Sequence, residues 1–371
     1  VYLARACELA ARAIADASPN PPVGAVIVRD GVTLGEGWHR RRGEAHAEVE
    51  ALANARAAGN DVRGATAYVS LEPCDHHGRT PPCTGALIQA GIARVVVGAP
   101  DPNPKTAGGG IARLRAASIV VDVFDAPAAT GLIERFAFTI AQPALPFVTL
   151  KMAMSLDGAI ASQPGRAEWL TGEEARAFVR DARAQHDAVL VGAGTIRIDD
   201  PQLTVRPHAV RHKPYRRVVA CETDPIPRGA RVLAAPADAP PNSYAPTTVL
   251  APAGARARFA ALEDVADVIY AGDAAAQHLD LRAALEALRA RGIDTVLCEG
   301  GPTLAGRLVA AGLVQRATWL VAPRFLQSPA AVPVLAGADL STLRNGWRFD
   351  RVERLGDDLM LSGRIDICSA V

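Results

Sequence analysis

The sequence predicts an α/β protein of two successive domains. Three observations predict it. Helical and strand periodicities alternate along the chain, a short proline-rich break at Gln142–Pro146 separates two such series, and 371 residues suffice for two domains of ordinary size. Hydrophobic residues make up 49% and charged residues 21%, which excludes intrinsic disorder as the main state. Forty lysines and arginines against 39 acidic residues leave a net charge of +1, so the whole chain carries no signature of nucleic-acid or membrane binding. No window approaches the ~18–20 uncharged apolar residues of a membrane-spanning helix. Val1–Arg12 is charged throughout and shows no secretory pattern. Six cysteines in a chain this long do not make a disulfide scaffold, and only Cys74 and Cys83 lie close together, which points to metal ligation in a reducing compartment. The expectation is a cytoplasmic protein.

In the first domain, residues 1–143, Leu3, Ala6, Cys7, Ala10 and Ile14 recur at helical spacing, predicting a helix over Tyr2–Ala17 that stops at Ser18-Pro19-Asn20-Pro21-Pro22. Val23–Val28 and Thr33–Trp38 read as strands joined by an Asp30-Gly31 hairpin turn. Helices are expected over Ala45–Ala58, Thr84–Ala90 and Ile111–Ala116, and strands over Ala65–Ser70, Arg94–Gly98 and Ile119–Val123. In the second domain, residues 144–371, strands are expected at Val148–Met154, Ala188–Val191, Arg217–Ala220, Thr248–Leu250, Thr295–Cys298, Thr318–Ala322 and Asp358–Ser362. Helices are expected at Gly172–Gln185, Leu281–Arg291 and Thr303–Ala311, and Ala234–Pro246 reads as a surface loop. No internal repeat is visible.

Two constellations carry chemistry. In the first, His46-Ala47-Glu48 opens a helix, and Cys74 and Cys83 follow a strand. One imidazole and two thiolates make three ligands for Zn²⁺ and leave a fourth position for water. Glu48, two residues from His46, stands off the metal as the group that takes a proton from water and delivers it to a leaving amine. The H-x-E…P-C…C order is similar to that of the nucleobase deaminases, with eight residues between the cysteines instead of two. In the second, Lys151–Gly158, Trp169-Leu170-Thr171-Gly172, Val191-Gly192-Ala193-Gly194-Thr195, Asp199–Arg206 and Glu299-Gly300-Gly301-Pro302-Thr303-Leu304 each lie at a strand end or a helix start. Such glycines let backbone N–H groups approach a pyrophosphate, although the G-x-G-x-x-G fingerprint is absent.

Asn20-Pro21-Pro22-Val23-Gly24, Gly37-Trp38-His39, His46-Ala47-Glu48, the run Leu71–Cys83, Asp101-Pro102-Asn103-Pro104 and Gly108-Gly109-Gly110 resemble the deaminase half of the bifunctional riboflavin-biosynthesis (RibD) family. The second constellation resembles the reductase half of the same family, and the match covers nearly the whole chain. The resemblance implies a cytidine-deaminase-like layered α/β domain followed by a dihydrofolate-reductase-like α/β domain. It implies hydrolytic removal of the 2-amino group of 2,5-diamino-6-ribosylamino-4(3H)-pyrimidinone 5′-phosphate, then NADPH-dependent reduction of the ribosyl to a ribityl chain. By the same resemblance Asn20, His39, His76, Arg79 and Asn103 hold the pyrimidine or its ribosyl phosphate. Trp169, Thr195, Asp199 and Gly301, Pro302, Thr303, Leu304, Ala305, Gly306 and Arg307 touch NADPH, while Arg183, Leu203, Arg206 and Glu299 touch the substrate. Lys151 and Glu299 are expected to polarise and protonate the sugar, and Arg183 and Arg206 to clamp its phosphate. A homodimer through the reductase domain is also implied.

The chain departs from the family pattern at four places. Asp75 replaces the more usual Ser or Asn, an extra carboxylate expected to repel a nearby phosphate mildly. Ala167 replaces a substrate-binding Ser, losing a hydrogen bond worth ~0.5–1.5 kcal/mol. Cys221-Glu222-Thr223 stands where the family ends a strand in Asp then Ser or Thr; either a Glu222 carboxylate beside the adenosine ribose repels a 2′-phosphate and shifts preference from NADPH towards NADH, or a one-residue slip lets Thr223 fill the place. Gln327 stands where a glycine is commoner. Ala167 and Glu222 keep a second reading in play, a deaminase whose reductase-like domain is a structural or dimerising scaffold. Nucleic-acid base editing would call for a basic, aromatic-bearing groove, and neither the charge balance nor the 5% of aromatics supplies one.

Overall fold

The computed structural model describes residues 1–76, 81–166, 168–208, 211–340 and 346–365. The chain divides into two units, Val1–Pro143 and Ala144–Val371.

In the first unit, α1 (Tyr2–Ala11) ends earlier than its periodicity predicts. Beyond Ala11 the backbone bonds become three residues apart (Ala13 N to Ala10 O, 3.0 Å; Asp16 N to Ala13 O, 3.1 Å), so the segment winds tighter before Pro19. β1 (Gly24–Arg29) and β2 (Val32–Trp38) form the expected hairpin. Asp30 and Gly31 both take positive φ, 52° and 78°, the turn geometry that an Asp-Gly pair supplies. Then come α2 (Ala47–Ala57), β3 (Thr66–Val69), α3 (Cys83–Gln89), β4 (Arg94–Val97), α4 (Gly109–Ala116) and β5 (Val120–Val123). Two helices not foreseen close the unit, α5 (Pro127–Leu132) and α6 (Glu134–Ala141). The sheet order is β2-β1-β3-β4-β5, antiparallel over its first three strands and parallel over its last three. Ala25, Ile27, Ala67, Val69, Val95 and Val97 meet Ala47, Ala51, Leu87 and Leu114 in the core between sheet and helices. Small residues allow the close approach: a Cβ on Gly37 would lie 2.4 Å from the backbone N of Ala51.

The second unit comprises β6 (Phe147–Ser155), β7 (Ala159–Ala161), α7 (Glu173–Ala184), β8 (Ala188–Gly192), α8 (Ala193–Asp199), β9 (Arg216–Ala220), β10 (Thr248–Pro252), α9 (Arg256–Phe259), β11 (Asp267–Ala271), α10 (Leu281–Ala290), β12 (Thr295–Cys298), α11 (Pro302–Ala310), β13 (Arg316–Ala322), β14 (Val332–Pro333), β15 (Trp347–Leu355) and β16 (Asp358–Ile365). Nine strands run β11-β10-β9-β8-β12-β6-β13-β16-β15, the first seven parallel and the last three antiparallel. β7 pairs separately with β14. The strands β8, β9, β10 and β12 are buried along nearly their whole length, as parallel strands covered on both faces must be. β15 escaped the reading because Arg348, Asp350, Arg351, Glu353 and Arg354 fill an exposed edge strand and leave no apolar alternation. The loop Ala234–Pro246 is anchored: the Ala234 carbonyl accepts from the buried Arg217, and Tyr244 pairs with Tyr215.

Candidate functional site

In the first unit, three chain segments converge. His46 is the residue that caps the start of α2, Cys74 lies five residues beyond the end of β3, and Cys83 is the first residue of α3. His46 Nδ1 lies 3.2 Å from Cys83 Sγ and 3.5 Å from Cys74 Sγ, and the three donor atoms fall within 4.8 Å of one another. Bonds of about 2.0–2.1 Å to nitrogen and 2.3 Å to sulfur in a tetrahedron give N–S edges of ~3.5 Å, so the triangle has the dimensions of a zinc ligand set. The backbone N–H of Cys83 donates to Cys74 Sγ at 3.4 Å. Hydrogen bonds from the Cys83 thiol and from His46 pull the Cys74 thiol down to about 4, while the same pairing and burial drive the Cys83 thiol up. Two sulfurs this close share a proton until a cation replaces it.

Glu48 stands in the first turn of α2 and is 4% exposed. Burial, then the charge of Cys74, pushes its carboxyl above the ordinary range, the condition for a group that both accepts and returns a proton. His39, also buried, gives its Nδ1 proton to the Ala45 carbonyl (3.1 Å), so its Nε2 accepts from the Asn20 amide at 3.0 Å. Burial lowers the His39 pKa, in keeping with a neutral ring. The His39 and His46 rings meet edge-on at 5.2 Å, which joins Asn20 and His39 to the metal triangle. His76 is exposed on the loop after Cys74, and Arg79 lies outside the described residues.

Asn103 is committed to its own turn: its side-chain oxygen accepts from Lys105 N at 3.1 Å. What holds that turn against the site is Glu72, which the sequence reading quoted but gave no role. Its buried carboxylate accepts from Asp101 N (3.2 Å), Gly108 N (3.1 Å) and Ile111 N (3.2 Å). A carboxyl residue immediately before Pro73-Cys74 was the available signal. Gly110 completes the joint, since a Cβ there would sit 1.8 Å from the Pro73 carbonyl oxygen. The repulsion expected of Asp75 is corrected. Its carboxylate accepts from Thr84 Oγ1 at 2.6 Å and pairs with Arg113 at 3.1 Å, so it is neutralised in place.

In the second unit, the carboxyl end of β12 lies beside the middle of β6, with Leu150 opposite Cys298, so the next residues, Lys151 and Glu299, are neighbours. Arg183, from the last turn of α7, grips both Glu299 oxygens, at 2.5 and 3.0 Å, and donates to the Thr204 carbonyl at 3.1 Å. Burial lowers the Lys151 pKa, with Arg183 acting the same way and Glu299 against. Burial alone would raise Glu299, but the charge and hydrogen bonds of Arg183, with Lys151, hold it below its ordinary value. Arg183 is therefore engaged with Glu299 instead of standing open for a phosphate. Arg206 holds Thr204 Oγ1 (3.2 Å) and Gln202 (2.6 Å) near the surface. The Leu203 side chain is 3% exposed and belongs to the core cluster that includes Val205 and Tyr215.

Thr195 and Gly301 come together, for a Cβ on Gly301 would lie 3.8 Å from Thr195 Oγ1. Neither α8, which follows β8 directly, nor α11, which follows β12 after three residues, has a side chain capping its first turn, so their leading N–H groups have no side-chain acceptor at the carboxyl ends of these neighbouring strands. The chain leaves the crevice between them in opposite directions, β8 towards β9 and β12 across β6 to β13, the switch point where α/β sheets bind nucleotides. The donor arrangement fits a dinucleotide phosphate. Within the segment expected to touch it, Leu304, Ala305 and Gly306 are buried against the protein, which leaves Gly301, Pro302, Thr303 and Arg307 open. Asp199 ends α8 at the surface, and Trp169 exposes its ring, with Arg176 5.4 Å over it. Ala167 lies outside the described residues. Asp157, in the turn after β6, accepts from Ser155, Leu326 and Gln327, and these bonds, Ser155 first, hold it down at about 2.

Fold and sites together define a hydrolytic zinc deaminase joined in one chain to a nucleotide-dependent reductase. Residues 1–99 match the cytidine and deoxycytidylate deaminase zinc-binding region, and residues 146–361 match the RibD C-terminal domain. The riboflavin biosynthesis protein RibD of Escherichia coli is 38% identical over 97% of each chain, and that of Aquifex aeolicus 36% over 97% of this chain and 96% of its own. Among solved structures, Acinetobacter baumannii RibD superposes with a TM-score of 0.77 at 34% identity over 98% of each chain. A Thermotoga maritima diaminohydroxyphosphoribosylaminopyrimidine deaminase/5-amino-6-(5-phosphoribosylamino)uracil reductase gives 0.78 at 33%, over 98% of this chain and 97% of its own. The chain belongs to the RibD family, the bifunctional deaminase/reductases of riboflavin biosynthesis.

Proposed function

We propose that the first unit hydrolyses the 2-amino group of 2,5-diamino-6-ribosylamino-4(3H)-pyrimidinone 5′-phosphate and that the second reduces the ribosyl chain of the product to ribityl with NADPH. The observation that carries the reading is the His46–Cys74–Cys83 triangle with buried Glu48 beside it. Zn²⁺, held by those three side chains, supplies Lewis-acid activation of water. Glu48 takes the proton of the attacking water and returns it to the departing amine, which leaves as ammonia. Asn20 and His39 present a fixed amide and a neutral imidazole to the pyrimidine.

NADPH in the β8/β12 crevice supplies the hydride. Lys151, kept next to Glu299, gives the accompanying proton to the sugar. Arg183 fixes Glu299, and Arg206 is the guanidinium that meets the substrate phosphate. A homodimer through the second unit is supported by the exposed edge strand β15 with its apolar Phe349 and Val352. Residence in the cytoplasm is supported by the thiolate ligand set and by the free thiols of Cys7, Cys221 and Cys298. No helix among the described residues is long and apolar enough to cross a membrane.

The test is a mass-spectrometric product assay on zinc-replete protein, with no nucleotide, with NADPH and with NADH. Deamination raises the product mass by about one unit, and reduction adds about two more. Both shifts are expected, the second only with nucleotide. Absence of the first shift in zinc-loaded protein overturns the substrate assignment.

A further inference from the structure

Glu222 lies two residues past the end of β9, the strand beside β8, at the same carboxyl edge of the sheet as the β8/β12 crevice. Its carboxylate forms an ion pair with Arg307 of α11, and its Oε1 lies 3.0 Å from His278 Nδ1. Arg307 also donates to the Leu279 carbonyl at 3.0 Å. Its guanidinium remains reachable, since Arg307 lines a surface cleft of about 510 Å³ with Leu279, Asp280, Arg282 and Gly337. A carboxylate at the end of a strand neighbouring the phosphate crevice is where an α/β fold reads the ribose 2′ position of a dinucleotide, and an arginine there accommodates a 2′-phosphate. Here one site contains both groups, bound to each other.

We infer that Glu222 is a built-in occupant of the 2′-phosphate position: it holds Arg307 and His278 as a 2′-phosphate would, and NADPH must displace it whereas NADH need not. The inference rests on the dinucleotide placement proposed above. The pair does not bar the phosphate, because Arg307 and His278 are freed for it when Glu222 swings into solvent. Binding of the phosphorylated nucleotide is weakened by the lost Glu222 contacts and by the nearby negative charge, so this chain discriminates weakly between the two nucleotides. That replaces the simple repulsion expected from the sequence.

The experiment is calorimetric titration of the zinc-replete, full-length protein with 2′,5′-ADP and, separately, with ADP. Wild type is compared with Glu222→Gln, Glu222→Ser and Arg307→Gln, with ADP binding and the melting temperature of the full chain as the checks that the second unit of each variant is folded. Both Glu222 variants are expected to bind 2′,5′-ADP ~10-fold or more tightly than wild type, with ADP affinity changed by less than about twofold. Arg307→Gln is expected to abolish the small preference for 2′,5′-ADP that wild type retains, and KM for NADPH should fall in the Glu222 variants while KM for NADH holds. Normal ADP binding with an unchanged ratio between the ligands overturns this inference and leaves the dinucleotide placement standing. Failure of both ligands to bind any form overturns the placement and the inference together.

Discussion

Glu48 is the residue on which the first reaction turns, because it is a buried carboxyl next to a thiolate, placed to carry a proton without binding metal. Glu48→Gln keeps the shape and removes the proton acceptor, so ammonia release is expected to fall ~10²–10⁴-fold while zinc content, measured by atomic absorption, stays at one per chain. Loss of zinc in that variant would make Glu48 a structural residue. Lys151 gives a pH prediction. Burial holds its pKa below the ordinary 10.5, so as pH rises it loses its proton, and the reductase rate its acid, before an unperturbed lysine would. The alkaline fall of the reductase kcat is therefore expected below pH 10.5, and ammonia release should not share it. The stability effect has the opposite sense. Between the lowered pKa and 10.5 the unfolded chain binds more protons than the native one, so this group adds stability as pH rises through that interval. At this scale the sequence was legible where chemistry constrains residue type, as with His46, Cys74, Cys83 and Glu48. It was not legible where a partner distant in the chain decides the outcome: Asp75 is neutralised by Arg113, Arg183 is taken by Glu299, and Glu222 is held by Arg307 and His278.

Between residues and fold stand the joints that place elements, and Glu72 is the one that matters for the first site. It ties the loop Asp101–Gly108 and the start of α4 to the segment leading into Cys74 through three backbone N–H groups. Glu72→Ala leaves those donors without their acceptor and is expected to cost roughly 2–3 kcal/mol, read from the urea midpoint of the full chain, with ammonia release lowered in the same variant. A midpoint shift of a few tenths would mean that water replaces the carboxylate. Gly110→Ala tests the same joint by steric means, because its new methyl would collide with the Pro73 carbonyl. Elements with a clear helical period or a buried apolar run were readable: α7, α10 and the strands β8, β9, β10 and β12 fall within a few residues of expectation. Others were not. α8 is seven residues that include a glycine, α6 buries no residue fully, and β15 alternates charges on an exposed edge.

At the scale of the whole chain, both catalytic constellations are complete within their own units. The metal donors and Glu48 come only from Val1–Pro143, whereas Lys151, Arg183, Glu299 and the β8/β12 crevice come only from Ala144–Val371. Neither unit borrows a described side chain for its chemistry, so the two activities should be separable by removing the metal. Stripping zinc with a strong chelator leaves two thiols and an imidazole facing one another at 3.2–3.5 Å, a crowded arrangement that only protons can relieve. The stripped protein is expected to release no ammonia from the diaminopyrimidine substrate. Supplied with the deaminated pyrimidine, it should consume NADPH at the rate of the untreated enzyme, and readdition of zinc should restore ammonia release. A second readout follows from composition, since Trp38 is the one tryptophan of the first unit and Trp169, Trp319 and Trp347 belong to the second. In a chain with those three replaced by phenylalanine, the emission of Trp38 should report a lower melting temperature after chelation. NADPH oxidation that falls in step with ammonia release would show that the second unit depends on the folded state of the first, and that the tandem arrangement couples them in stability as well as in sequence of reactions.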